Sequence, residues 1–251
     1  VVNRFWAILV TAFASQVVVP AMAADVQIVF GESLAPFADE KTGRGVEIDI
    51  VREALKAVGH SLRPRYVPQA RVPLTLARGQ VDGAATLTPE SGVSAAYSDA
   101  YIRYRDIVVT HQARLTAPQD VAQLAGLRVV GFQNAAKYLG PAFAAMAKSN
   151  PRYSEEPSQL SQVRMLFAGQ VDAIVIEHRI FAYQQAQLLA SKFKERPVPV
   201  SISEPFEDIP YQVAFRTETL RDEFNLGLQR IRKSGVLADI EARYAMPGVH
   251  P

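Results

Sequence analysis

Two stretches decide the reading of this chain: Leu76-Ala77-Arg78-Gly79-Gln80-Val81-Asp82-Gly83-Ala84 and Phe167-Ala168-Gly169-Gln170-Val171-Asp172-Ala173. Each reads as the end of a helix, a glycine that stops it, and then a buried strand. The shared Gly-Gln-Val-Asp is either a chance match between two helix-to-strand turns or the mark of two related α/β lobes, one holding each copy. On the second reading, ligands belong beyond the carboxyl ends of the strands, where helix N-termini present free backbone N–H groups. Two such lobes facing each other make a cleft.

Outward from the echo, strand-length apolar runs alternate with segments of helical period, which predicts α/β architecture. Strands are expected at Val26–Phe30, Leu62–Tyr66, Asp82–Thr86, Ile107–Thr110, Leu127–Gly131, Asp172–Ile176 and Gln212–Phe215. Ile48, Val51, Leu55 and Val58 mark one helix face, with Gly59 placed to end it. Further helices are expected at 135–147, 158–168, 178–191 and 219–233, with a short closing helix at 236–244.

The 251 residues carry 27 Lys+Arg against 25 Asp+Glu, a balance that supplies no general attraction for nucleic acid. With no cysteine, disulfides, thiolate catalysis, iron–sulfur clusters and Cys-ligated zinc are excluded. The four histidines are scattered without metal-ligand spacing, and no cofactor is expected. At the start, Arg4, the apolar run Phe5–Ala14 and the small-x-small triplet Ala21-Met22-Ala23 read as a signal peptide over 1–23, cleaved after Ala23. An uncleaved anchor is the alternative, disfavoured by Ser15, Gln16 and Pro20. The expectation is a periplasmic protein.

The ordered set of motifs resembles the type II periplasmic solute-binding proteins of family 3, the polar amino-acid class of ABC transporters. It runs Gly45-Val46-Glu47-Ile48-Asp49-Ile50, Leu76–Asp82, Thr86-Leu87-Thr88-Pro89-Glu90, Tyr97-Ser98-Asp99-Ala100-Tyr101, Leu124–Gly131, Leu166–Glu177 and Leu220–Tyr244. The resemblance implies lobe 1 over 25–111 plus 210–251, lobe 2 over 112–209, a hinge of two chain crossings and a ligand cleft between the lobes. It further implies a monomer that closes over a small polar solute and passes it to an ABC permease in the inner membrane.

The same resemblance supplies the candidate ligand residues. Thr86 falls where the family keeps a hydroxyl facing the solute. Ser91 falls where amino-acid binders carry an Arg for the α-carboxylate, so either another cation substitutes or the ligand lacks that group. Arg71 is the candidate substitute at the cleft rim, or else a solvated arginine opening the next helix; Arg103 and Arg105 are weaker ones. Phe37 is a ring to stack on the solute, or a core residue, while Leu34 and Gln69 replace rings elsewhere. In lobe 2, Asn134 reads as an N-cap and, with Gln133, offers amides in place of the family's hydroxyls. Glu177 falls where the family keeps an acid for the ligand's ammonium, with helix capping as the plain alternative. Asp82 and Asp172 read as structural.

No nucleophile elbow, phosphate loop or dinucleotide fingerprint occurs, so binding rather than catalysis is expected. Two alternatives stand beside import: an extracytoplasmic sensor acting on a separate membrane receptor, and an enzyme like the cyclohexadienyl dehydratases, with Glu177 as general acid.

Overall fold

The computed structural model describes residues 24–190 and 198–245. The expected signal peptide lies outside the described residues. None of the described helices is long and apolar enough to cross a membrane.

Two mixed sheets organise the chain. The first has the order β2 (Ser61–Val67), β1 (Asp25–Gly31), β3 (Gly83–Leu87), β11 (Ile209–Phe215) and β4 (Ala96–Tyr97), with β5 (Ile102–Tyr104) also on β11. The second runs β10 (Val200–Ser203), β6 (Asp106–His111), β9 (Ala173–Glu177), β7 (Val129–Phe132) and β8 (Tyr153–Glu156). In the first, β1 pairs in parallel with β2 and β3; in the second, β7 pairs in parallel with β8 and β9. Asp106–His111 pairs antiparallel with β9 in the second sheet, and the chain re-enters the first sheet at Ile209 after β10.

The sequence echo is repeated atom for atom in the backbone. Gly79 and Gly169 both take φ 67°, the left-handed region open to glycine. Their N–H groups bond Leu76 and Leu166 carbonyls at 2.8 and 2.9 Å. Asp82 then accepts the N–H of Gln27 in β1 at 2.9 Å, and Asp172 accepts the N–H of Arg128, just before β7, at 2.8 Å. Each aspartate therefore ties its strand's start to the neighbouring parallel strand. Both are structural, as their position after the glycine suggests.

In the first lobe, α1 (Val46–Lys56) is buried through Val46, Ile48, Ile50, Val51, Ala54 and Leu55. It is covered by α7 (Glu218–Lys233), whose Phe224, Leu228 and Ile231 are buried on the facing stripe. The two helices meet at Gly227, where a Cβ would stand 1.9 Å from the Ala54 carbonyl oxygen. Only a residue without a side chain permits that approach. Closing α8 (Val236–Arg243) is pinned by Tyr244, whose hydroxyl donates to Asp49 at 2.7 Å while accepting the Gly45 N–H at 3.1 Å.

The second lobe packs α5 (Gln159–Phe167) and α6 (His178–Ala190) around buried Val163, Leu166, Ile180 and Leu188. The helix expected over 135–147 is two, α3 (Ala135–Tyr138) and α4 (Gly140–Ser149). Gly140 at φ 83° turns the chain and Pro141 starts the second piece, its fixed φ suiting a first turn. A further short helix, α2 (Val72–Ala77), precedes the first copy of the echo.

Candidate functional site

Every parallel strand ends at one place. Leu34 follows β1, Gln69 follows β2, Thr86 lies near the end of β3, Phe132 and Gln133 end β7, Gln159 follows β8 and Glu177 ends β9. All seven line one cavity of about 30 Å³ between the lobes, joined by Tyr104, Asp106, Tyr138, Ile180 and Tyr211. A second cavity of about 210 Å³, lined by Glu32, Ser33, Pro68 and Ser158, shares five of these walls and opens the cleft outward. Larger grooves of about 560 and 700 Å³ flank the hinge, but neither gathers the strand ends of both sheets. The cleft is the candidate site because crossover loops leave backbone N–H groups and side chains unencumbered at strand ends.

The lobes are in contact across it. Lys137 Nζ donates to the Ser91 carbonyl at 2.9 Å, and Gln133 Oε1 accepts the Ala70 N–H at 3.2 Å. At the hinge, the His178 N–H bonds the Arg105 carbonyl at 3.0 Å.

At the floor, Thr86 Oγ1 donates to Glu47 Oε2 at 2.7 Å, and the Thr86 N–H reaches the Tyr101 hydroxyl at 3.3 Å. Thr86 takes φ 56°, a left-handed backbone that a β-branched residue adopts only under restraint. Glu47 is fully buried in the first turn of α1; burial pushes its pKa up to about 7, against the pull of Thr86, Tyr104 and Tyr101. Asp106 is 2 % exposed and is held well above the usual carboxylate range by burial, then by the charges of Glu177 and Asp208. Glu177 Oε2 accepts the N–H groups of Arg179 and Ile180 at 2.7 and 2.9 Å, capping α6.

Of the residues expected from sequence, the structure brings Thr86, Gln133 and Glu177 together at the cleft. Glu177 lines the cavity and caps its helix. Phe37 is fully buried behind the wall, with the Tyr104 ring 4.1 Å away and the Arg179 guanidinium 4.4 Å from its centroid. Ser91 is buried against the Tyr97 hydroxyl at 2.9 Å, and Arg71 is exposed; neither lines the cleft. Asn134 takes φ 68°, and its side chain makes no capping bond. The free N–H groups expected there are occupied: Glu155 accepts those of Asn134 and Ala136 at 2.7 and 3.1 Å.

Glu47, Asp106, Gln159 and the tyrosines Tyr104 and Tyr211 were not singled out by sequence. Glu47 had a signal, an acid among apolar residues in the first turn of a helix. Asp106 had a weaker one, as an acid at the head of an apolar strand. No group of three or more His, Asp or Glu that could hold a metal occurs among the described residues.

A hinged pair of α/β lobes with polar groups converging from both defines a two-lobed binding protein. The chain matches the family model of bacterial extracellular solute-binding proteins, family 3, over residues 26–247, and it belongs to that family. Among solved structures it resembles a histidine kinase sensor domain with similarity to periplasmic binding proteins, at TM-score 0.74 and 17% identity over 88% of this chain and 95% of that one. It also resembles an ancestral arginine-binding protein bound to arginine, at TM-score 0.72 and 21% identity over 90% and 100%. The arginine-, lysine-, histidine-binding protein ArtJ from Geobacillus stearothermophilus matches at TM-score 0.72 and 17% identity over 90% and 96%. A search of curated proteins found no match. These identities establish a shared fold.

Proposed function

We propose that this chain is exported to the periplasm after cleavage at Ala23 and there, as a monomer, traps one small polar solute for an ABC importer of the inner membrane. The observation that carries the reading is the cleft itself, lined from both lobes by polar side chains at the ends of the parallel strands. A solute touching both lobes stabilises the closed arrangement by contacts the open one lacks. Thr86, Gln133 and Glu177 are its nearest contacts, with Phe37 packed behind the wall. Thermal melting and small-angle scattering against a panel of polar solutes test this. The expected result is a higher Tm and a smaller radius with at least one solute; a panel leaving both unchanged overturns it. At a hundredfold excess over Kd, mass action alone adds about 2.7 kcal/mol.

A second output has its own support, since one of the similar structures is a sensor domain. Crosslinking the loaded protein in membranes separates the two, a permease as partner favouring import and a signalling receptor favouring sensing. Turnover of prephenate or arogenate by the purified protein would move the reading to an enzyme.

A further inference from the structure

Resting on the solute capture proposed above, we infer that the cleft is built for an organic cation carrying no carboxylate, with its ammonium or guanidinium head seated against Asp106 and Glu177. These two residues stand directly opposite each other in the antiparallel β6–β9 ladder, and each is 2 % exposed. Like charges facing across a ladder repel, and more so away from water. Asp106 Oδ2 is buried without a hydrogen-bond partner, and so are the side-chain oxygens of Gln69 and Gln159 that face the same cavity. Glu177 Oε1 also lacks one, because His178 Nδ1, although 2.6 Å away, lies outside hydrogen-bond geometry.

The nearby cation leaves this demand unmet. Arg179 Nε stands 3.8 Å from Glu177 Oε1, but its guanidinium lies over the Phe37 ring and reaches the Arg103 carbonyl at 3.3 Å, and the residue does not line the cavity. The glutamines can turn their amides; a cation seated between Asp106 and Glu177 lets both carboxyls ionise, which burial and mutual repulsion disfavour at Asp106 without it. Four acceptor oxygens around about 30 Å³ suit a compact group rich in N–H donors, and the adjoining 210 Å³ can take its body.

The case against a carboxylate is equally local. No Lys or Arg is among the residues lining either cavity, and Arg71 is exposed and outside the cleft lining. In lobe 2, the paired N–H groups of Asn134 and Ala136 are held by Glu155, which Tyr153 fixes with a third bond at 2.9 Å. These two N–H groups are therefore already taken and are not free for a ligand carboxylate.

Calorimetry on the whole mature protein with two matched pairs, agmatine against arginine and cadaverine against lysine, tests the inference. The amine lacking the carboxylate should bind at least tenfold tighter in any pair that binds, and Asp106→Asn should weaken it tenfold or more. Glu155→Ala, which frees the two N–H groups, should narrow the discrimination severalfold by strengthening the carboxylated member. Equal or tighter binding of the amino acid, or wild-type amine affinity in folded Asp106→Asn, overturns it. Capture of only neutral or anionic solutes also overturns it while leaving solute binding intact; a protein that binds nothing from a broad panel removes both readings.

Discussion

Thr86 Oγ1 donates to Glu47 Oε2 at 2.7 Å, and both side chains are buried beneath the cleft between the lobes. The bond joins the end of a strand to the first turn of α1. Thr86 keeps its left-handed backbone beside this bond, which is the strongest hydrogen-bond pull on the Glu47 carboxyl toward the ionised form.

The pH dependence of stability follows from Glu47. Its pKa is raised from 4.5 to about 7 by burial, so between those values the native state holds a proton that the unfolded chain has released. Stability contributed by this site is full below about pH 4.5, declines as pH rises, and is lost by a few kcal/mol above pH 7. Glu47→Gln should flatten this decline, and Thr86→Val should shift it to higher pH by removing a bond that favours ionisation. Denaturant midpoints between pH 4.5 and pH 8 check both; a wild-type slope in Glu47→Gln would refute the assignment.

Glu177 serves two purposes that two substitutions separate. Glu177→Ala removes the acceptor of two N–H groups at the start of α6 and should cost about 1 kcal/mol of stability, together with solute affinity. Glu177→Gln keeps an acceptor oxygen and loses the charge, so its melting temperature should stay nearer to wild type while affinity for a cationic solute falls. Melting and titration on both proteins distinguish the roles.

At the crossing of α1 and α7, Gly227→Ala places a methyl group against the backbone of Ala54, where no flexible side chain can yield. A loss of about 1 to 3 kcal/mol is expected, the usual cost of overpacking. Chemical denaturation measures it; a neutral or stabilising result would mean that the helices separate freely.

The echoed aspartates should behave as a matched pair. Asp82→Ala and Asp172→Ala each leave a strand N–H without its charged acceptor, at about 1.5 to 3 kcal/mol. Asp172 is also held below the usual carboxylate range, first by hydrogen bonding from Arg128 against the cost of burial. Its share is present above the ordinary pKa of 3.8 and is lost as pH falls below it. Acid unfolding should therefore lose part of its pH dependence in Asp172→Asn.

Much of the architecture was written in local pattern. Gly79 and Gly169 end helices because only glycine takes φ 67° without strain, and the apolar runs after them can only be buried strands. The helix expected over 135–147 broke at Gly140 and Pro141, residues whose local meaning was legible but whose consequence depended on the packing around them. Short β4, β5, β8 and β10 carried too few apolar residues to announce themselves.

The site divided differently. Thr86, Gln133 and Glu177 were placed by the family resemblance, and they lie at strand ends of parallel sheets, where ligand contacts collect. What the chain's order of residues could not reveal is which charges lose their water: Glu47 and Asp106 look like ordinary acids until the fold buries them, and Arg71 looks like a cleft cation until it is found in solvent. Glu155, far along the chain from any ligand motif, fills the N–H pair beside Asn134 only because β8 lies next to β7. Local periodicity and glycine stereochemistry thus determined the lobes, while desolvation and pairing between distant segments, which exist only in three dimensions, decided the charge of the cleft.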